Sequence, residues 1–303
     1  MTGYLHLLFS ITVPIVILCG CGFLLQNYRK TVDTKLLADI SLYILAPALI
    51  LSALSESHLK GQNVWHIFIF TVVMTVILWL TAILTAKLLH LPEKQTRALT
   101  LTTLFSNSNN YGLPVLLLAY GRAGFSLGAV YVIGQIILVN ILGMYVASRD
   151  QMNGKQAVIH IFKSPLIYAC IIGFCISLFH WTLPGGLSSA INMMGAAYPT
   201  LVLLILGTKL AATRLSGLHR KDVWIGIGLR LLIIPLLAKG ILILLGIHGM
   251  LASVLFVEAS MPAAINAVTL AEKFDGDTEM ISLVVTVTTL LSFLYLPALI
   301  FIS

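Results

Sequence analysis

The chain has 303 residues, of which 59% are hydrophobic and only 10% are charged, and its mean hydropathy is +1.01. Charged residues make up about a quarter of an average soluble domain, so this composition excludes an ordinary soluble protein and indicates an integral membrane protein. The net charge of +7 is spread over too few residues, between long apolar runs, to form a nucleic-acid-binding face. A lipid bilayer is therefore expected as a partner, and nucleic acid is not.

Ten apolar segments follow one another along the chain, and a bilayer crossing needs roughly 20 apolar residues. Their continuous hydrophobicity predicts helices and excludes the short alternating strands of a membrane β-barrel. The first segment lacks a basic leader and a cleavage site, which predicts a retained membrane helix. The predicted segments cover residues 5–26, 36–54, 64–89, 97–120, 125–147, 158–179, 187–212, 223–247, 251–273 and 280–302.

Lys and Arg residues are distributed unevenly between the two sides that these segments define. Fourteen of the 18 lie in or next to the loops after the odd-numbered segments, whereas only Lys60 and Arg122 lie on the opposite side. The remaining two, Arg230 and Lys239, fall within the eighth segment. Because an excess of Lys and Arg marks the cytoplasmic side, we predict a multi-pass protein of the cell inner (cytoplasmic) membrane with both termini outside.

The second half of the chain repeats features of the first half at a nearly constant offset of about 150 residues. Five crossings in each half is an odd number, so the two halves would enter the membrane from opposite sides. Inverted repeats of this kind are typical of secondary transporters. We predict a first five-helix repeat at residues 1–150 and a second, inverted one at residues 151–303. The aligned pairs are Pro14 with Pro165, Cys19 with Cys170, Gly22 with Gly173, Phe23 with Phe174, Pro47 with Pro199, Ala86-Lys87 with Ala238-Lys239, and Pro114 with Pro262.

Polar residues interrupt segments four and nine. Segment four contains SNSNNYGLP at residues 106–114, and segment nine contains EASMP at residues 258–262, followed by Asn266. Proline removes a backbone donor and disturbs the preceding turn, so neither segment is expected to stay a regular helix. Unwound backbone at membrane depth is tolerated only where protein or a watery cavity surrounds it, and half-helix ends attract ions. The sequence therefore predicts two broken helices that meet around a site for an ion and a substrate.

Several motifs together resemble the auxin efflux carrier family over essentially the whole chain. They are the Asn-rich break ending in Gly112-Leu113-Pro114, Pro47-Ala48 in segment two, LGTKLA at residues 206–211, Arg230 with Pro235, and Met261-Pro262-Ala263-Ala264 with Asn266. The resemblance implies an all-α polytopic fold like that of sodium/proton antiporters and bile acid symporters, with a homodimer formed through scaffold helices.

The resemblance also implies that helices 1, 2, 6 and 7 form a scaffold and that helices 3, 4, 5, 8, 9 and 10 form the transport core. Helices four and nine cross at their prolines. Bacterial members are described as permeases for malonate, malate or similar carboxylates, and plant members export the indole carboxylate auxin. The loop at residues 148–157 is short here, whereas many plant members have a long one, which favours a compact, prokaryote-like permease.

The uncharged residues of the two breaks are candidate substrate ligands. The Asn side chains could bind a substrate or an ion, or they could satisfy broken backbone groups, but three Asn in four positions exceed what a kink requires. The candidate substrate-binding residues are Asn107, Asn109, Asn110, Tyr111, Gly112, Ser260, Met261 and Asn266, with Pro114 and Pro262 as the crossover residues.

Glu258 is the only carboxylate well inside a predicted span, and ionisable groups within a membrane are functional candidates by default. It would carry a proton or a cation, or else serve as a neutral or salt-bridged packing residue. If helical spacing is kept, Glu258, Pro262 and Asn266 lie near one face. Arg230 and Lys239 are candidates for attracting an anion, although Arg230 is also close enough to the basic loop to snorkel to the surface.

The sequence contains no recognisable nucleotide-binding, protease or hydrolase motif, so we expect no enzyme activity, no cofactor and no metal site. We predict a secondary active transporter, a permease or efflux carrier, that moves a small organic anion such as a carboxylate by alternating access, coupled to H⁺ or Na⁺. Two alternatives stay open: a sodium-coupled symporter of the bile acid type, and a membrane receptor that binds a ligand without transporting it.

Overall fold

The computed structural model describes residues 8–29, 34–55, 61–148, 165–213, 216–273 and 276–303. These residues form α-helices and one isolated two-residue β-bridge. Within them, 7 helical stretches are long and apolar enough to cross a membrane, and two shorter helices are also apolar. The predicted all-helical, multi-pass membrane protein is confirmed at this level. The helices are α1 (Phe9–Arg29), α2 (Thr34–Ser55), α3 (Gly61–Leu88), α4 (Glu93–Leu104), α5 (Leu113–Ser148), α6 (Pro165–Leu178), α7 (Gly185–Ala212), α8 (Lys221–Leu244), α9 (Gly249–Ala259), α10 (Asn266–Lys273) and α11 (Thr278–Ile302).

Helices occupy all ten predicted segments. Segment four is divided between α4 and the first part of α5, segment five is the rest of α5, and segment nine is divided between α9 and α10. Residues 5–7 of segment one and 158–164 of segment six lie outside the described residues. The same is true of six residues in the charge count: Lys30, Lys60, Arg149, Lys155, Lys163 and Arg214.

The boundary between segments four and five is a sharp bend at Gly121. This residue has φ 63° and ψ −159°, a backbone conformation that is essentially restricted to glycine. Two helical stretches are therefore joined at this one residue.

Four helical stretches widen into a π-turn just before a proline. A proline has no N–H group, and its ring clashes with the carbonyl four residues earlier; a π-turn relieves this clash by widening the helix. Each of these turns ends two residues before its proline. The turns and prolines are Leu8–Thr12 before Pro14, Ser41–Leu45 before Pro47, Ser108–Gly112 before Pro114, and Leu229–Ile233 before Pro235.

Close contacts at glycines join α1 to α7 and α6 to α2. Gly22 of α1 lies against the backbone of Leu204 in α7, and Gly173 of α6 lies against Leu51 and Leu54 in α2. Small residues allow helix backbones to approach closely within a membrane. Gly22 and Gly173 are aligned at the 151-residue offset. The predicted repeat aligns α1 with α6 and α2 with α7. The contact of α1 with α7 therefore corresponds to the contact of α6 with α2.

Hydroxyl groups link α1 to α11 and α5 to α2. The Thr12 hydroxyl donates to the Phe293 carbonyl oxygen at 3.2 Å, which joins α1 to α11. The Ser126 hydroxyl donates to the Ala53 carbonyl oxygen at 2.9 Å, which joins α5 to α2. A third contact of this type runs from the Tyr198 hydroxyl of α7 to the Asn109 carbonyl oxygen, in the break before α5, at 2.8 Å.

An ion cluster at one end of the bundle joins the starts of α8 and α11. Arg220 contacts Asp222 at 2.6 Å, Asp277 at 2.5 Å and Glu279 at 3.3 Å. Asp277 also caps α11 by accepting a hydrogen bond from the Met280 amide at 3.0 Å. Burial of the Asp277 carboxyl acts to raise its pKa, but the hydrogen bond from Arg220 and the Met280 amide together hold that pKa below its ordinary value.

Arg220→Met is expected to reduce the stability of the protein and to make the remaining stability less dependent on pH in the acid range. A carboxyl whose pKa is depressed by folding stabilises the protein above its unfolded pKa, about 3.9 for Asp, and this stabilisation is lost as pH falls through the lower folded pKa. Thermal unfolding in detergent across this acid range would measure the effect. Arg97→Met is the control, because Arg97 makes a partly exposed helical pair with Glu93 at 3.7 Å, a type typically worth about 0.3–0.5 kcal/mol. Identical pH profiles for wild type and Arg220→Met would contradict the prediction.

Candidate functional site

The two breaks lie against each other and pair through their main chains. The Asn107 amide donates to the Pro262 carbonyl oxygen at 2.8 Å, and the Ala264 amide donates to the Phe105 carbonyl oxygen at 2.8 Å. These bonds form an antiparallel bridge centred on Ser106 and Ala263. The bridge satisfies backbone groups that the broken helices leave free, which is a requirement for unwound chain at membrane depth.

Arg230 of α8 connects the two breaks from the side. Its Nε donates to the Met261 carbonyl oxygen at 2.8 Å, and its Nη1 donates to the Thr103 carbonyl oxygen at 2.7 Å. α4 and α9 both end at the breaks, and the C-terminal end of a helix carries a partial negative charge. Arg230 is only 1% exposed, so its side chain does not snorkel to the surface. Its positive charge is instead buried between the negative ends of two helices.

A chain of hydrogen bonds runs from α5 through the first break to the second. The Gln135 amide nitrogen donates to Ser106 Oγ at 2.6 Å, and Ser106 Oγ lies 2.7 Å from Ser108 Oγ. The Ser108 hydroxyl in turn donates to the Glu258 carbonyl oxygen at 3.2 Å. This chain fixes the position of the first break relative to both α5 and the end of α9.

The Glu258 side chain is buried in a notch formed by two glycines of the first half. Its exposed fraction is 0%, and neither of its carboxylate oxygens has a hydrogen-bond partner among the described residues. Gly112 and Gly128 leave room for it, because a Cβ at either position would lie closer to a carboxylate oxygen than an ordinary van der Waals contact allows. A buried charge without a partner is costly in a membrane, so a carboxyl group in this position is a functional candidate.

Gly112→Ala is expected to displace the Glu258 carboxyl group. The added methyl carbon would lie 2.9 Å from the carboxyl carbon, and overpacking of a close-packed site typically costs about 1–3 kcal/mol. The midpoint temperature of unfolding in detergent and the rate of solute uptake into proteoliposomes should both decrease. Gly134→Ala is the matched control on α5, since its methyl group would lie an ordinary 3.4 Å from Thr71. Equal behaviour of the two variants would show that the notch is not tight.

A cleft of about 60 Å³ opens beside the bridge, between both breaks and α5. By volume it holds roughly four to six water-sized groups. Half of its wall is polar and uncharged, and the other half is apolar. The lining residues are Ser106, Asn109, Gln135 and Asn266, together with Phe105, Val132, Ile136 and Ala264.

The predicted Asn residues of the first break occupy different positions. Asn109 lines the cleft, and its side-chain nitrogen donates to Asn110 Oδ1 at 3.2 Å. The main chain of Asn107 forms the bridge to Pro262. Tyr111 lies away from the cleft, because its hydroxyl accepts a hydrogen bond from Ser292 of α11 at 3.1 Å and its ring packs edge-on against the next residue of that helix.

The predicted residues of the second break are also separated by the local geometry. Ser260 and Met261 are fully buried at the end of α9, and the Ser260 hydroxyl has no hydrogen-bond partner among the described residues. Helical spacing is not kept, because α9 ends at Ala259. The condition under which Glu258 and Asn266 would share a helix face is therefore not met: Glu258 lies in the glycine notch, and Asn266 lines the cleft at the start of α10.

Lys239 lies apart from the site. It is exposed on α8, and its ammonium nitrogen lies 5.2 Å from the centre of the Phe256 ring, a cation–π contact. Pro114 lies after the π-turn at the start of α5, whereas Pro262 takes part in the bridge through its carbonyl oxygen. The structure thus brings together both breaks, Arg230 and Glu258, and leaves Lys239 outside.

Sequence reasoning missed Gln135 and Tyr198 as parts of this site. Tyr198 of α7 is buried, and its hydroxyl donates to the Asn109 carbonyl oxygen at 2.8 Å. Gln135 is an uncharged polar residue within an otherwise apolar segment, which is a signal that could have found it. Tyr198 lies in the middle of α7 and gave no such signal, because an aromatic ring is an ordinary part of an apolar segment.

Comparison with known proteins agrees with this architecture. The profile of a family described as "Membrane transport protein" matches residues 8–300. A protein of Methanothermobacter thermautotrophicus named as an uncharacterized transporter is 28% identical over 290 residues, which are 95% of each chain. An uncharacterized transporter of Methanocaldococcus jannaschii is 24% identical over 292 residues, covering 93% of this chain and 94% of its own. The chain therefore belongs to this membrane transport protein family, the auxin efflux carrier family that its motifs resemble.

Proposed function

We propose that the protein is a secondary active transporter of a small organic anion, coupled to H⁺ or Na⁺ through Glu258. The observation that carries this proposal is the fully buried, unpartnered carboxyl group of Glu258 beside two paired helix breaks. A carboxyl in such a place can change its charge only when its surroundings change. Alternating exposure of the site to the two sides of the membrane would supply that change, and would thus link ion release to movement of the substrate.

The proposed motion takes place between α1, α2, α6 and α7 as the scaffold and the remaining helices as the transport core. The scaffold assignment is supported by the glycine contacts of Gly22 with α7 and Gly173 with α2. Their correspondence at the 151-residue offset also supports two inverted five-helix repeats and ten crossings. In such transporters the two repeats exchange conformations around a site near the midplane.

The proposed anion would reach a site whose positive charge comes from Arg230. Two of its N–H groups bind carbonyl oxygens, whereas Nη2 is buried and has no hydrogen-bond partner among the described residues. An unpaired guanidinium N–H group is a strong donor to a carboxylate. The remaining features stay proposals supported by the charge pattern and the family resemblance: an inner-membrane location, both termini outside, and a homodimer through scaffold helices.

Uptake into proteoliposomes tests this function. The purified full chain would be reconstituted, and a panel of labelled mono- and dicarboxylates would be offered under an imposed pH gradient, an imposed Na⁺ gradient, or neither. Gradient-driven accumulation of at least one acid is the expected result. Strict Na⁺ dependence would favour the bile acid type of symporter, whereas saturable binding without flux would overturn transport in favour of a receptor.

A further inference from the structure

We propose that the cleft selects a short monocarboxylate over a dicarboxylate, and that Gln135 contacts this substrate. The inference rests on the proposed transport of an organic anion and concerns which anions the same site accepts. It follows from the volume of the cleft, the charges around it and the side chains in its wall.

The volume of the cleft suits a small substrate. About 60 Å³ accommodates roughly four to six water-sized groups. That capacity matches a two- or three-carbon acid. The side-chain amides of Asn109 and Asn266 can donate hydrogen bonds to the carboxylate end, and the apolar wall, which includes Phe105 and Val132, suits a short hydrocarbon end.

The charge around the cleft limits the charge of the substrate. None of the side chains that line it is ionisable. Within the described residues, Arg230 is the only buried cationic side chain, and part of its charge already faces the carbonyl oxygens of Thr103 and Met261. Lys239 is exposed and lies over Phe256. Arg230 binds the two breaks that form part of the cleft wall, but it does not itself line the cleft. A carboxylate in the cleft would therefore have at most one cation nearby, and a second carboxylate would have no counter-charge of its own.

Gln135 is placed to report on this selectivity. It is buried on α5, lines the cleft, and is oriented by hydrogen bonds from its amide nitrogen to Ser106 and to the Tyr131 hydroxyl. Both bonds use the nitrogen, so the carboxamide oxygen remains an acceptor for an N–H or O–H group of the substrate, such as the amide of oxamate, and not for its carboxylate. A cation introduced at this position would supply the missing counter-charge for a second carboxylate.

The test uses oxamate and oxalate, two acids of matched size that differ by one negative charge at neutral pH. Initial uptake rates would be measured in proteoliposomes of the full chain, with the membrane potential clamped by potassium and valinomycin. We expect uptake of oxamate to exceed that of oxalate at least tenfold. Oxalate uptake equal to or faster than oxamate uptake would overturn the monocarboxylate inference and leave anion transport intact. Failure of every acid in the wider carboxylate panel would instead overturn the proposed function itself.

Substitutions of the cleft wall provide a second, independent arm. Gln135→Arg should shift the oxalate-to-oxamate ratio at least tenfold towards oxalate, whereas the uncharged control Gln135→Met should slow uptake and leave the preference for oxamate. Asn266→Lys places a charge on the exposed side of the cleft and should shift the ratio in the same direction even if Gln135→Arg does not fold. An unchanged ratio in folded Gln135→Arg and Asn266→Lys would rule out charge selection by this cleft.

Discussion

Glu258→Gln is expected to abolish accumulation of substrate against its gradient. The amide has nearly the same shape as the acid and fits the same notch of Gly112 and Gly128, but it cannot gain or lose a charge. A tenfold gradient of the coupling ion stores about 1.4 kcal/mol, which sustains up to about tenfold accumulation in one-to-one coupling. Wild type should approach that limit, and Glu258→Gln should stop at equal concentrations on both sides. Uptake of labelled substrate under imposed H⁺ or Na⁺ gradients measures the difference.

Glu279→Gln provides the matched control for this experiment. Glu279 lies at the start of α11, and its side chain is 57% exposed in the ion cluster with Arg220. The same chemical change there should leave accumulation intact. Persistent gradient-driven accumulation in Glu258→Gln would show that the buried carboxyl group is a packing residue.

Arg230→Met is expected to produce the largest loss of stability. It would leave the carbonyl oxygens of Thr103 and Met261 without their donors, at the point where the ends of α4 and α9 converge. Each buried polar group left unsatisfied costs about 1–3 kcal/mol, so the two carbonyl oxygens together should cost about 2–6 kcal/mol. The midpoint of thermal or denaturant unfolding in detergent would measure it. Arg230→Lys should recover part of the loss, because it keeps the charge but provides a different donor geometry.

Lys239→Met is the control for Arg230→Met on the same helix. Its exposed ammonium group makes a cation–π contact with Phe256, a type typically worth about 0.5–1 kcal/mol at exposed sites. Its unfolding midpoint should stay close to that of wild type. A similar loss in both variants would mean that Arg230 does not hold the two breaks together.

The positions of the helices and of the breaks were predictable from the sequence. Apolar runs show where a chain can cross a bilayer, and the polar clusters at residues 106–114 and 258–262 cannot continue as regular helices. The break in segment nine shows the limit of this reasoning. Helical spacing, if kept, would place Glu258 and Asn266 on one face. Because α9 ends at Ala259, this spacing does not apply to the residues that follow.

The contacts between segments distant in the sequence were not predictable. Arg230 lies 31 residues from Met261 and 127 from Thr103, and nothing local to α8 indicates that two carbonyl oxygens surround it. Tyr111 appeared to belong to the polar cluster, yet its ring packs on α11. Which side of a helix faces the site depends on how the helices pack, and a single apolar sequence constrains this weakly because lipid-facing and protein-facing residues are equally hydrophobic.

The hydroxyl-to-carbonyl contacts between the proposed scaffold and core have a consequence for the speed of transport. Across that boundary, Thr12 donates a hydrogen bond to the Phe293 carbonyl oxygen, Ser126 to that of Ala53, and Tyr198 to that of Asn109. Each such bond contributes only about 0.5–1.5 kcal/mol, and water entering the gap can replace it. In the proposed motion, these contacts would break one at a time, so sliding would meet several low barriers instead of one high barrier.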